Sequence, residues 1–529
     1  MHTHFIPFGN VPQFTRKDKA YTLQDPSLHP FYTYAPIAEN IPSVIQDKAS
    51  QDIDRKVLTE VLKDQYKDRN PSVEVARQID LLGKDTTFTL VTAHQPNLFT
   101  GPLYYVYKII SVIRLCEFLN NNYPDTHFVP LFISGNEDHD FEEINHFELF
   151  GKRVTWQNEE KGAVGMMSLD SMSGPLQETQ RILGDSPNGR EMFSLLENAF
   201  TGTHSYGEAA IRLTHALFGN QGLVILNTSD HRLKRQFIPS MKREIFEQPS
   251  RALIEKTGQQ LETLGYELQA FPREINFFYM TNQLRSRIVR EGHIFPVLDS
   301  ELTFSETELE QEIDSHPERF SPNVVMRPIY QESILPNLAY IGGGGELAYW
   351  LERKAQFEAF GLNFPMLIRR HSALWIDAGS SKKLAKVGLK VEDLLIDSED
   401  TIKAYVRSHA DHQLTLGKQR AAVAEIFKEI SEIARQVDPT LVGKVKAELA
   451  GQINTLSQLE GRLIKAEKAK HDTAVQQIRS LYDKLFPNRG LQERSANFME
   501  LFVRHGWNAI DILKNHFEPF STDFVVIQE

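Results

Sequence analysis

The sequence predicts an α/β protein with a parallel-sheet core, inserted subdomains and a C-terminal α-helical coiled coil. Residues 87–135 have the pattern strand, helix, strand, and strands and helices keep alternating to about residue 377. After residue 390 glycine becomes scarce, and apolar residues recur at alternating spacings of three and four. The first pattern is typical of βαβ units, which form parallel sheets, and the second is typical of a coiled-coil seam.

Length and composition exclude several classes of protein. The chain has 529 residues, of which 41% are hydrophobic, enough for several domains with large buried cores. Its formal net charge of −12 has the wrong sign for contacts to many nucleic-acid phosphates, and no stretch approaches the roughly 20 uncharged residues of a membrane-spanning helix. Cys116 is the one cysteine, so an intramolecular disulfide cannot form. We therefore expect a cytoplasmic protein that binds neither nucleic acid nor membrane.

The elements of the core follow an N-terminal extension. Residues 1–85 mix proline and charged residues with short helical patterns, so we expect them to pack on the core as an extension. Residues 87–93 and 127–135 are rich in β-forming residues, and residues 100–119 between them have apolar side chains at helical spacing. This βαβ unit predicts two parallel strands with a right-handed crossover and a ligand crevice at their carboxyl ends.

The predicted core, residues 86–390, contains further strands and two long insertions. Residues 222–228 and 363–370 are typical of strands that lie beside long helices. The segments near 152–220 and 255–340 are too long for tight connections, and we interpret them as inserted subdomains. The second insertion includes INFFYMTNQLRSRIV, whose alternation predicts a β-hairpin.

A helical domain is predicted over residues 391–485, and residues 486–529 are expected to return to the core. Apolar residues of its first long helix stand at 3,4 spacing: Val423, Ile426, Ile430, Ile433 and Val437. Asp438 and Pro439 then supply an N-cap and a first-turn proline for a second helix of about 45 residues, roughly 68 Å long. So long a helix cannot bury its apolar stripe against a small core. We therefore expect residues 414–485 to form an antiparallel hairpin that joins two subunits.

The first polar block that could carry chemistry follows the first core strand. Its candidate residues are His94, Gln95, Asn97, Thr100 and Gly101. The segment enters a helix, with Thr100 suited to the N-cap and Pro102 to the first turn. Free backbone N–H groups at such a terminus can bind an anion, while His94 can donate a hydrogen bond or act as a base. Because open α/β sheets bind ligands at this position, a functional site is favoured over simple capping.

The second polar block follows the next strand and contains Glu137, Asp138, His139, Asp140 and Asn145. Adjacent carboxylates repel one another and shift their pKa values apart. They indicate a metal ion, a substrate amine or acid–base work, and a solvated loop is the equal alternative. Residues 137–140 could ligate Mg²⁺ or Zn²⁺, but HExxH and related spacings are absent from the block, so the need for a metal stays open.

The third polar block contains Arg327, Tyr330, Gln331, Gly342, Gly343, Gly344, Gly345 and Glu346. Its four consecutive glycines do not fit a Walker or GxGxxG loop. Each glycine in ordered structure costs roughly 0.5–1 kcal/mol relative to alanine, so four of them indicate close approach by a ligand or by another element. Arg327, Tyr330 and Gln331 could contact a carboxylate or phosphate, whereas Glu346 would repel a phosphate and favours an amine or a hydroxyl-rich ligand.

Four long motifs resemble those of the bacillithiol biosynthesis enzyme family BshC, a family of cysteine ligases. The motifs are TAHQPNLFTGPLYYVYKIIS, NEDHDFEEINH, RPIYQESILPNLAYIGGGGELAYW and GLQERSANF, and the resemblance spans nearly the whole chain. It implies ligation of L-cysteine to the free amine of glucosaminyl malate, which yields bacillithiol. It also implies a Rossmann-like core related to class I aminoacyl-tRNA synthetases and nucleotidyltransferases, two connecting insertions, and a helical coiled coil that forms a homodimer.

The implied reaction needs an activated carboxyl group, because forming an amide from a free carboxylate in water is uphill. ATP is the natural candidate for this activation, and ATP or ADP is therefore the expected cofactor. Nucleotidyltransferases carry a His-x-Gly-His signature after the first strand, and here His94 is present while the second histidine is missing. The predicted catalytic residues are His94, Asp138, His139 and Asp140. We expect His94 to orient or protonate the activated carboxyl group and an acid of the second block to accept the proton of the attacking amine.

Two other classes of function stay as alternatives. A metal-dependent hydrolase of an amidosugar could use the same acidic loop, and metal analysis of the purified protein would identify it. A noncatalytic scaffold would use the coiled coil as its main feature, but it would have no need for polar residues at the ends of several strands.

Overall fold

The computed structural model describes residues 1–410 and 414–529. Residues 411–413, which fall within the predicted helical domain 391–485, lie outside the described residues. The chain divides into two compact units. The first, here the sheet unit, comprises His2–Leu374 and Leu491–Ile527. The second, here the helical unit, comprises Met1, Trp375–Gly490 and Gln528–Glu529.

The strands of the described residues are short, and most belong to the sheet unit. In chain order they are β1 (His2–Pro7), β2 (Thr87–His94), β3 (His127–Ser134), β4 (His146–Leu149), β5 (Lys152–Thr155), β6 (Val224–Asn227), β7 (Phe277–Thr281), β8 (Leu284–Arg287), β9 (Ile294–Pro296), β10 (Thr303–Ser305), β11 (Phe320–Pro322), β12 (Asn337–Gly342), β13 (Met366–Arg369), β14 (Ala373–Ile376) and β15 (Asp523–Gln528).

The α-helices connect these strands and form most of the helical unit. In chain order they are α1 (Arg16–Thr22), α2 (Ile41–Ala49), α3 (Arg55–Tyr66), α4 (Val73–Leu81), α5 (Leu103–Asn122), α6 (Phe141–Ile144), α7 (Ser173–Leu183), α8 (Pro187–Thr201), α9 (Tyr206–Phe218), α10 (His231–Gln236), α11 (Ile238–Lys242), α12 (Pro249–Thr263), α13 (Glu306–Ser315), α14 (Arg327–Ile334), α15 (Gly344–Trp350), α16 (Lys354–Phe360), α17 (Ala378–Val387), α18 (Ser398–Ser408), α19 (Gly417–Val437), α20 (Leu441–Lys470), α21 (Asp472–Leu485), α22 (Met499–His505) and α23 (Asn508–His516).

A five-stranded parallel sheet forms the centre of the sheet unit, with strand order β13-β12-β2-β3-β6. β2 and β3 pair in continuous register from Thr87 opposite His127 to His94 opposite Ser134. In β2 every residue before His94 is buried, as expected for a parallel strand that is covered on both faces. The predicted α/β class, the βαβ unit and its strands are confirmed.

The side chains of β2 alternate between two hydrophobic clusters, one on each face of the sheet. Phe88 and Leu90 pack in a cluster that includes Cys116 of α5, and Val91 and Ala93 pack in the larger cluster on the other face. The period of two follows from the pleat of the strand. The packing brings the carboxyl end of every strand in the sheet to one edge, where the polar blocks begin.

The predicted β-hairpin in the second insertion is confirmed. β7 and β8 pair antiparallel, with Thr281 opposite Leu284, and β11 pairs with β7 to complete a three-stranded sheet. Through Arg285 of β8 and the residues after β11, this sheet supplies part of the cavity described below.

The helical unit contains the predicted antiparallel hairpin, formed by α19 and α20. Arg420 of α19 forms an ion pair with Glu460 of α20 at 2.9 Å, which places the start of one helix beside the later part of the other. The predicted start of the second helix is wrong: α20 begins at Leu441, and Asp438 instead accepts hydrogen bonds from the Thr440 N–H and hydroxyl at 2.9 and 2.8 Å. Asp438 is thus the C-cap residue of α19, where its N–H donates to the carbonyl oxygen of Ala434 at 2.8 Å, and not the N-cap of α20.

The second helix is also shorter than predicted. It is interrupted at His471, whose φ and ψ are −105° and 23°, so α20 has 30 residues and α21 has 14. The uninterrupted length is about 45 Å rather than 68 Å at 1.5 Å per residue. No helix in residues 1–410 and 414–529 combines the length and apolar character that crossing a membrane requires.

Four of the five residues of the predicted coiled-coil seam of α19 face solvent, and the fifth, Val423, is half-buried. Ile426, Ile430, Ile433 and Val437 are 54%, 40%, 60% and 76% exposed. We call these four residues the exposed seam. The hairpin therefore buries a different face of α19, on which Ala434 is 8% exposed.

Candidate active site

A cavity of about 960 Å³ lies at the carboxyl end of the parallel sheet, where the three polar blocks come together. Its volume is within the range of about 300–1,000 Å³ that small-molecule sites occupy. The predicted residues that line it are His94, Gln95, Asn97, Glu137, Asp138, His139, Asp140, Arg327, Tyr330, Gly343, Gly344, Gly345 and Glu346. Segments far apart in the sequence thus form one site.

The other predicted residues lie outside the lining of this cavity: Thr100, Gly101, Asn145, Gln331 and Gly342. Gln331 donates its side-chain amide to Glu332 at 2.9 Å, and Asn145 forms a hydrogen bond with His146 at 2.9 Å. Gly342 ends β12 and is buried. The side chains of Gln331 and Asn145 therefore stabilise the surrounding structure.

His94 ends β2, the middle strand of the sheet, and lies beside aromatic rings. Its ring centroid is 5.4 Å from that of Tyr104 and 5.7 Å from that of Tyr105. Burial, reinforced by the positive charge of Lys108, lowers the pKa of His94 to about 4. The imidazole is therefore neutral near pH 7, where it can donate one hydrogen bond and accept another but cannot act as a cationic acid.

The turn after His94 has a strained backbone. Phe99, Thr100 and Gly101 have φ values of 47°, 72° and 59°, and for a β-branched residue such as threonine this conformation costs of order 1–3 kcal/mol. A Cβ on Gly101 would lie 2.7 Å from the Asn97 Cβ, so a glycine is required there. The amide of Asn497 donates to the carbonyl oxygens of Phe99 and Gly101 at 3.0 and 2.7 Å and stabilises the turn.

The predicted N-cap at Thr100 is wrong because of this turn. α5 begins at Leu103, and Pro102 occupies its N-cap position. The Leu103 N–H donates to the carbonyl oxygen of Ala496 at 2.7 Å, so a distant segment satisfies one of the helix's free N–H groups.

Asp138 lies after β3 on the acidic side of the cavity. It accepts hydrogen bonds from the Gln95 amide and from the His139 backbone N–H, each at 2.7 Å, and Arg285 lies 3.9 Å away. Burial opposes its ionisation, but these hydrogen bonds and the Arg285 charge prevail and hold the pKa of Asp138 well below its usual range. Asp138 is therefore ionised near neutral pH and can bind an ammonium group.

Glu143 lines the same side of the cavity, four residues after His139. Glu143 is exposed, but the partial loss of solvent around it, together with the negative charge of Asp140, raises its pKa. A carboxyl group with a raised pKa accepts a proton more readily than Asp138 does. Asp138 and Glu143 thus differ in pKa, which is lowered in Asp138 and raised in Glu143.

Two buried lysines each hold a cavity carboxylate in place. Lys234 lies 2.8 Å from Glu137 and is completely buried. Lys108 lies 2.8 Å from Glu346 and also donates to the carbonyl oxygen of Ala93 at 2.6 Å. Burial opposes ionisation of Glu346, but Lys108 and a hydrogen bond from the backbone of Gly343 lower its pKa to about 2.

The glycine run serves both the cavity and the packing of the chain. Gly343, Gly344 and Gly345 line the cavity, and a Cβ on Gly344 would overlap the carboxylate of Asp18. Asp18 in turn pairs with Arg369 at 3.1 Å. At Gly344 the close approach is therefore made by another element of the chain.

Arg370 follows β13 on the opposite side of the cavity from the acids. It forms a buried ion pair with Glu493 at 2.8 Å, and its guanidinium lies 5.5 Å from the centre of the Tyr104 ring. Arg327 contributes a second guanidinium, which donates to the Gln331 side chain and the Tyr349 hydroxyl, each at 3.1 Å. Arg370 therefore lies beside β13, and the carboxylates of Glu137 and Asp138 lie beside β3 with Lys234 and Arg285 as their cationic neighbours. His94 lies between the two sides.

Several residues of the candidate site are not apparent from the sequence. Tyr104, Glu143, Arg285, Arg370 and Arg494 line the cavity, and Lys108, Lys234, Glu493 and Asn497 support it. Two of them carry a signal in the sequence: Lys108 interrupts the apolar helix LYYVYKIISVI, and Arg370 is the last residue of a predicted strand. The others act through pairs between distant segments, which one sequence does not reveal.

The acidic side was also a candidate metal site. In the described residues no three His, Cys, Asp or Glu side chains are grouped so that they could hold a metal ion. Glu137 is engaged by Lys234, and Asp138 by Gln95.

Comparison with known proteins gives a consistent family match. The model of the bacillithiol biosynthesis BshC N-terminal Rossmann-like domain matches residues 1–371, and the model of the BshC C-terminal coiled-coil domain matches residues 373–529. A protein of Christiangramia forsetii named "Putative cysteine ligase BshC" is 39% identical over 534 residues, covering 100% of this chain and 99% of that protein. A Flavobacterium psychrophilum protein of the same name is 39% identical over 531 residues and covers 100% of both.

Proposed function

This chain belongs to the bacillithiol biosynthesis family BshC, and from that premise we propose that it ligates L-cysteine to the free amine of glucosaminyl malate. The product would be the amide bacillithiol. The observation that supports the proposal is a single cavity that contains both carboxylates, such as Asp138, and guanidinium groups, such as Arg327, around the neutral His94. Glucosaminyl malate has an amine and two carboxylates, and L-cysteine has an ammonium group and a carboxylate. Each substrate therefore needs both anionic and cationic side chains in its binding site.

The amine of glucosaminyl malate must lose a proton before it can attack. We assign Asp138 to hold the ammonium form, because its low pKa keeps it ionised. Glu143, whose pKa is raised, is the better proton acceptor. This refines the sequence-based assignment, in which an acid of residues 137–140 accepted the proton. The neutral imidazole of His94 would orient the carboxyl group by a hydrogen bond.

We include ATP as the activating cosubstrate, which would give the cysteine carboxyl group a leaving group. Arg327 fits its phosphates, because its guanidinium lines the cavity and its hydrogen-bond partners, Gln331 and Tyr349, are neutral. Lys108 and Arg370 are less suited, since each is already paired with a carboxylate.

We propose that the active form is a homodimer joined through the exposed seam of α19. Full burial of a large aliphatic side chain contributes roughly 1.5–3 kcal/mol, so four exposed aliphatic residues on one helix favour a partner helix. We further propose that the protein works in the cytoplasm, because its one cysteine, Cys116, is free and buried, so the fold uses no disulfide.

A comparison of thiol metabolites tests the proposed function in cells. Cells that lack this gene are expected to lose bacillithiol and to accumulate glucosaminyl malate, and the intact gene should restore the thiol. The gene with Glu143→Gln should not restore it, although its product should accumulate as folded protein. An unchanged amount of bacillithiol in cells without the gene would contradict the proposal.

A further inference from the structure

Arg494 is a cavity residue to which the proposed mechanism gives no role. It is exposed and lines the cavity. In the part of the chain that the structure describes, its side chain makes no hydrogen bond or ion pair. The other arginines of the cavity are engaged, because Arg285 bonds to Ser321, Arg327 to Tyr349 and Arg370 to Glu493.

The backbone around Arg494 is held on both sides by completely buried polar groups. Glu493, directly before it, accepts hydrogen bonds from the Arg370 guanidinium at 2.8 and 3.2 Å and from the hydroxyl of Ser372 at 3.1 Å. Asn497, three residues after it, donates to the strained turn that follows His94. A solvated surface arginine needs no such support, whereas a ligand-binding arginine gains from a fixed backbone because less conformational freedom is lost on binding.

The electrostatic balance of the cavity indicates what Arg494 binds. Glu346 offsets the charge of Lys108, and Glu493 offsets that of Arg370. Arg494 therefore supplies a positive charge that no carboxylate of the described residues offsets, and it lies close enough to Tyr104 for this charge to act on the tyrosine hydroxyl. A guanidinium in this position matches the geometry of a carboxylate through two parallel hydrogen bonds.

We propose that Arg494 binds a carboxylate of the malate group and so selects glucosaminyl malate over glucosamine derivatives that lack malate. This inference rests on the proposed function. The malate group carries two carboxylates. Lys108 and Arg370 are already neutralised by carboxylates of the chain, so binding malate requires a further cation. Glu493 and Asn497 act as positioning residues, because they hold the backbone that carries Arg494.

Calorimetric titration of the full-length protein with two ligands tests the proposal. The ligands are glucosaminyl malate and methyl glucosaminide, which has the same amine and sugar but no carboxylate. A hydrogen bond to a charged group contributes roughly 1.5–3 kcal/mol, which corresponds to about 10- to 100-fold in affinity. Arg494→Gln should weaken binding of glucosaminyl malate by about that factor and leave binding of methyl glucosaminide unchanged. Arg494→Lys should fall between the two proteins.

The matched control is Arg504→Gln, which changes an arginine of the same C-terminal segment that does not line the cavity. It should bind both ligands as the wild type does. Equal affinity of the wild type and Arg494→Gln for glucosaminyl malate would overturn the inference while leaving the proposed function intact. An equal loss of affinity for both ligands would also overturn it. If the wild type bound no glucosaminyl malate, the proposed function itself would fail.

Discussion

The cavity of the sheet unit and the hairpin of the helical unit depart from ordinary protein surfaces in opposite ways. The cavity buries ionised groups, such as Lys234 and Glu493, whereas the hairpin exposes aliphatic side chains, such as Ile433. A buried ion pair is rarely more stabilising than apolar residues of the same size, and an exposed isoleucine forgoes its burial free energy. Neither arrangement is explained by the stability of the single chain. The difference is what we expect if, as proposed above, the cavity binds a charged ligand and the hairpin binds a second subunit.

The largest expected effect is a loss of reaction rate when residues of the cavity are substituted. His94→Ala and Glu143→Gln should each lower the rate of bacillithiol formation by about 10²–10⁴-fold, the usual contribution of a positioned acid–base group. Asp138→Asn should also lower it, because the ammonium group loses its anionic partner. Rates are measured by mass spectrometry of the thiol product, with circular dichroism as the check on folding. Near-normal rates for folded His94→Ala and Glu143→Gln would remove both assignments.

The next largest effect is expected on the free energy of unfolding, when a buried ion pair that supports the cavity is broken and compared with an exposed ion pair of the hairpin. Glu493→Gln should lower the free energy of unfolding by about 3–5 kcal/mol, because it leaves the buried charge of Arg370 uncompensated. The matched control is Glu425→Gln in α19, where Glu425 and Lys428 are both exposed. It should have no measurable effect, since exposed pairs contribute little. Urea denaturation gives both values, and equal values for the two variants would contradict the comparison.

The pH dependence of stability should show the burial of His94. Its pKa is about 4 in the folded protein and about 6.5 when exposed, so folding favours the neutral ring. The stabilisation is complete above pH 6.5 and is lost as the pH falls through about 4, by up to about 3 kcal/mol. Urea denaturation between pH 7 and 4 should therefore show a smaller loss for His94→Gln than for the wild type. The pKa of His371 is also about 4, but His371 is present in both proteins, so its contribution cancels when their losses of unfolding free energy are compared. Parallel curves would contradict this account of His94.

The smallest change in unfolding free energy is expected for the hairpin. Ile430 and Ile433 are exposed in the single chain, so Ile430→Lys combined with Ile433→Lys should barely alter its stability. The same change should separate the dimer, because it places charges in the exposed seam. Light scattering should report twice 60.6 kDa for the wild type and 60.6 kDa for the variant. A wild type of 60.6 kDa at micromolar concentration would refute the dimer.

The two regions also differ in how far the sequence predicts them. Strands β2 and β3 were predicted almost to the residue, because buried parallel strands have continuous β-forming runs. The antiparallel hairpin was predicted from its apolar spacing, but the break at His471 leaves no clear sequence signal. At the cavity, the polar ends of strands identified about half of the lining residues, since each block can be recognised locally.

The rest of the cavity depends on contacts between distant segments. Thr100 resembled an N-cap because Ser and Thr favour that position, but Asn497, nearly 400 residues later, stabilises a different turn. The pairing of Arg370 with Glu493 likewise joins segments that no local pattern connects. Only the GLQERSANF motif indicated that the C-terminal segment mattered, and the residue types alone did not assign a role to Glu493 or Asn497.

The most direct test of the proposed reaction is amide formation by the purified protein. Wild-type protein is incubated with L-cysteine, glucosaminyl malate and ATP, and the product is identified by mass spectrometry. We expect bacillithiol to form with consumption of the nucleotide, to require all three small molecules, and to form about 10²–10⁴-fold more slowly with His94→Ala. Absence of bacillithiol from the complete mixture with folded wild-type protein, or equal rates for the wild type and His94→Ala, would contradict it.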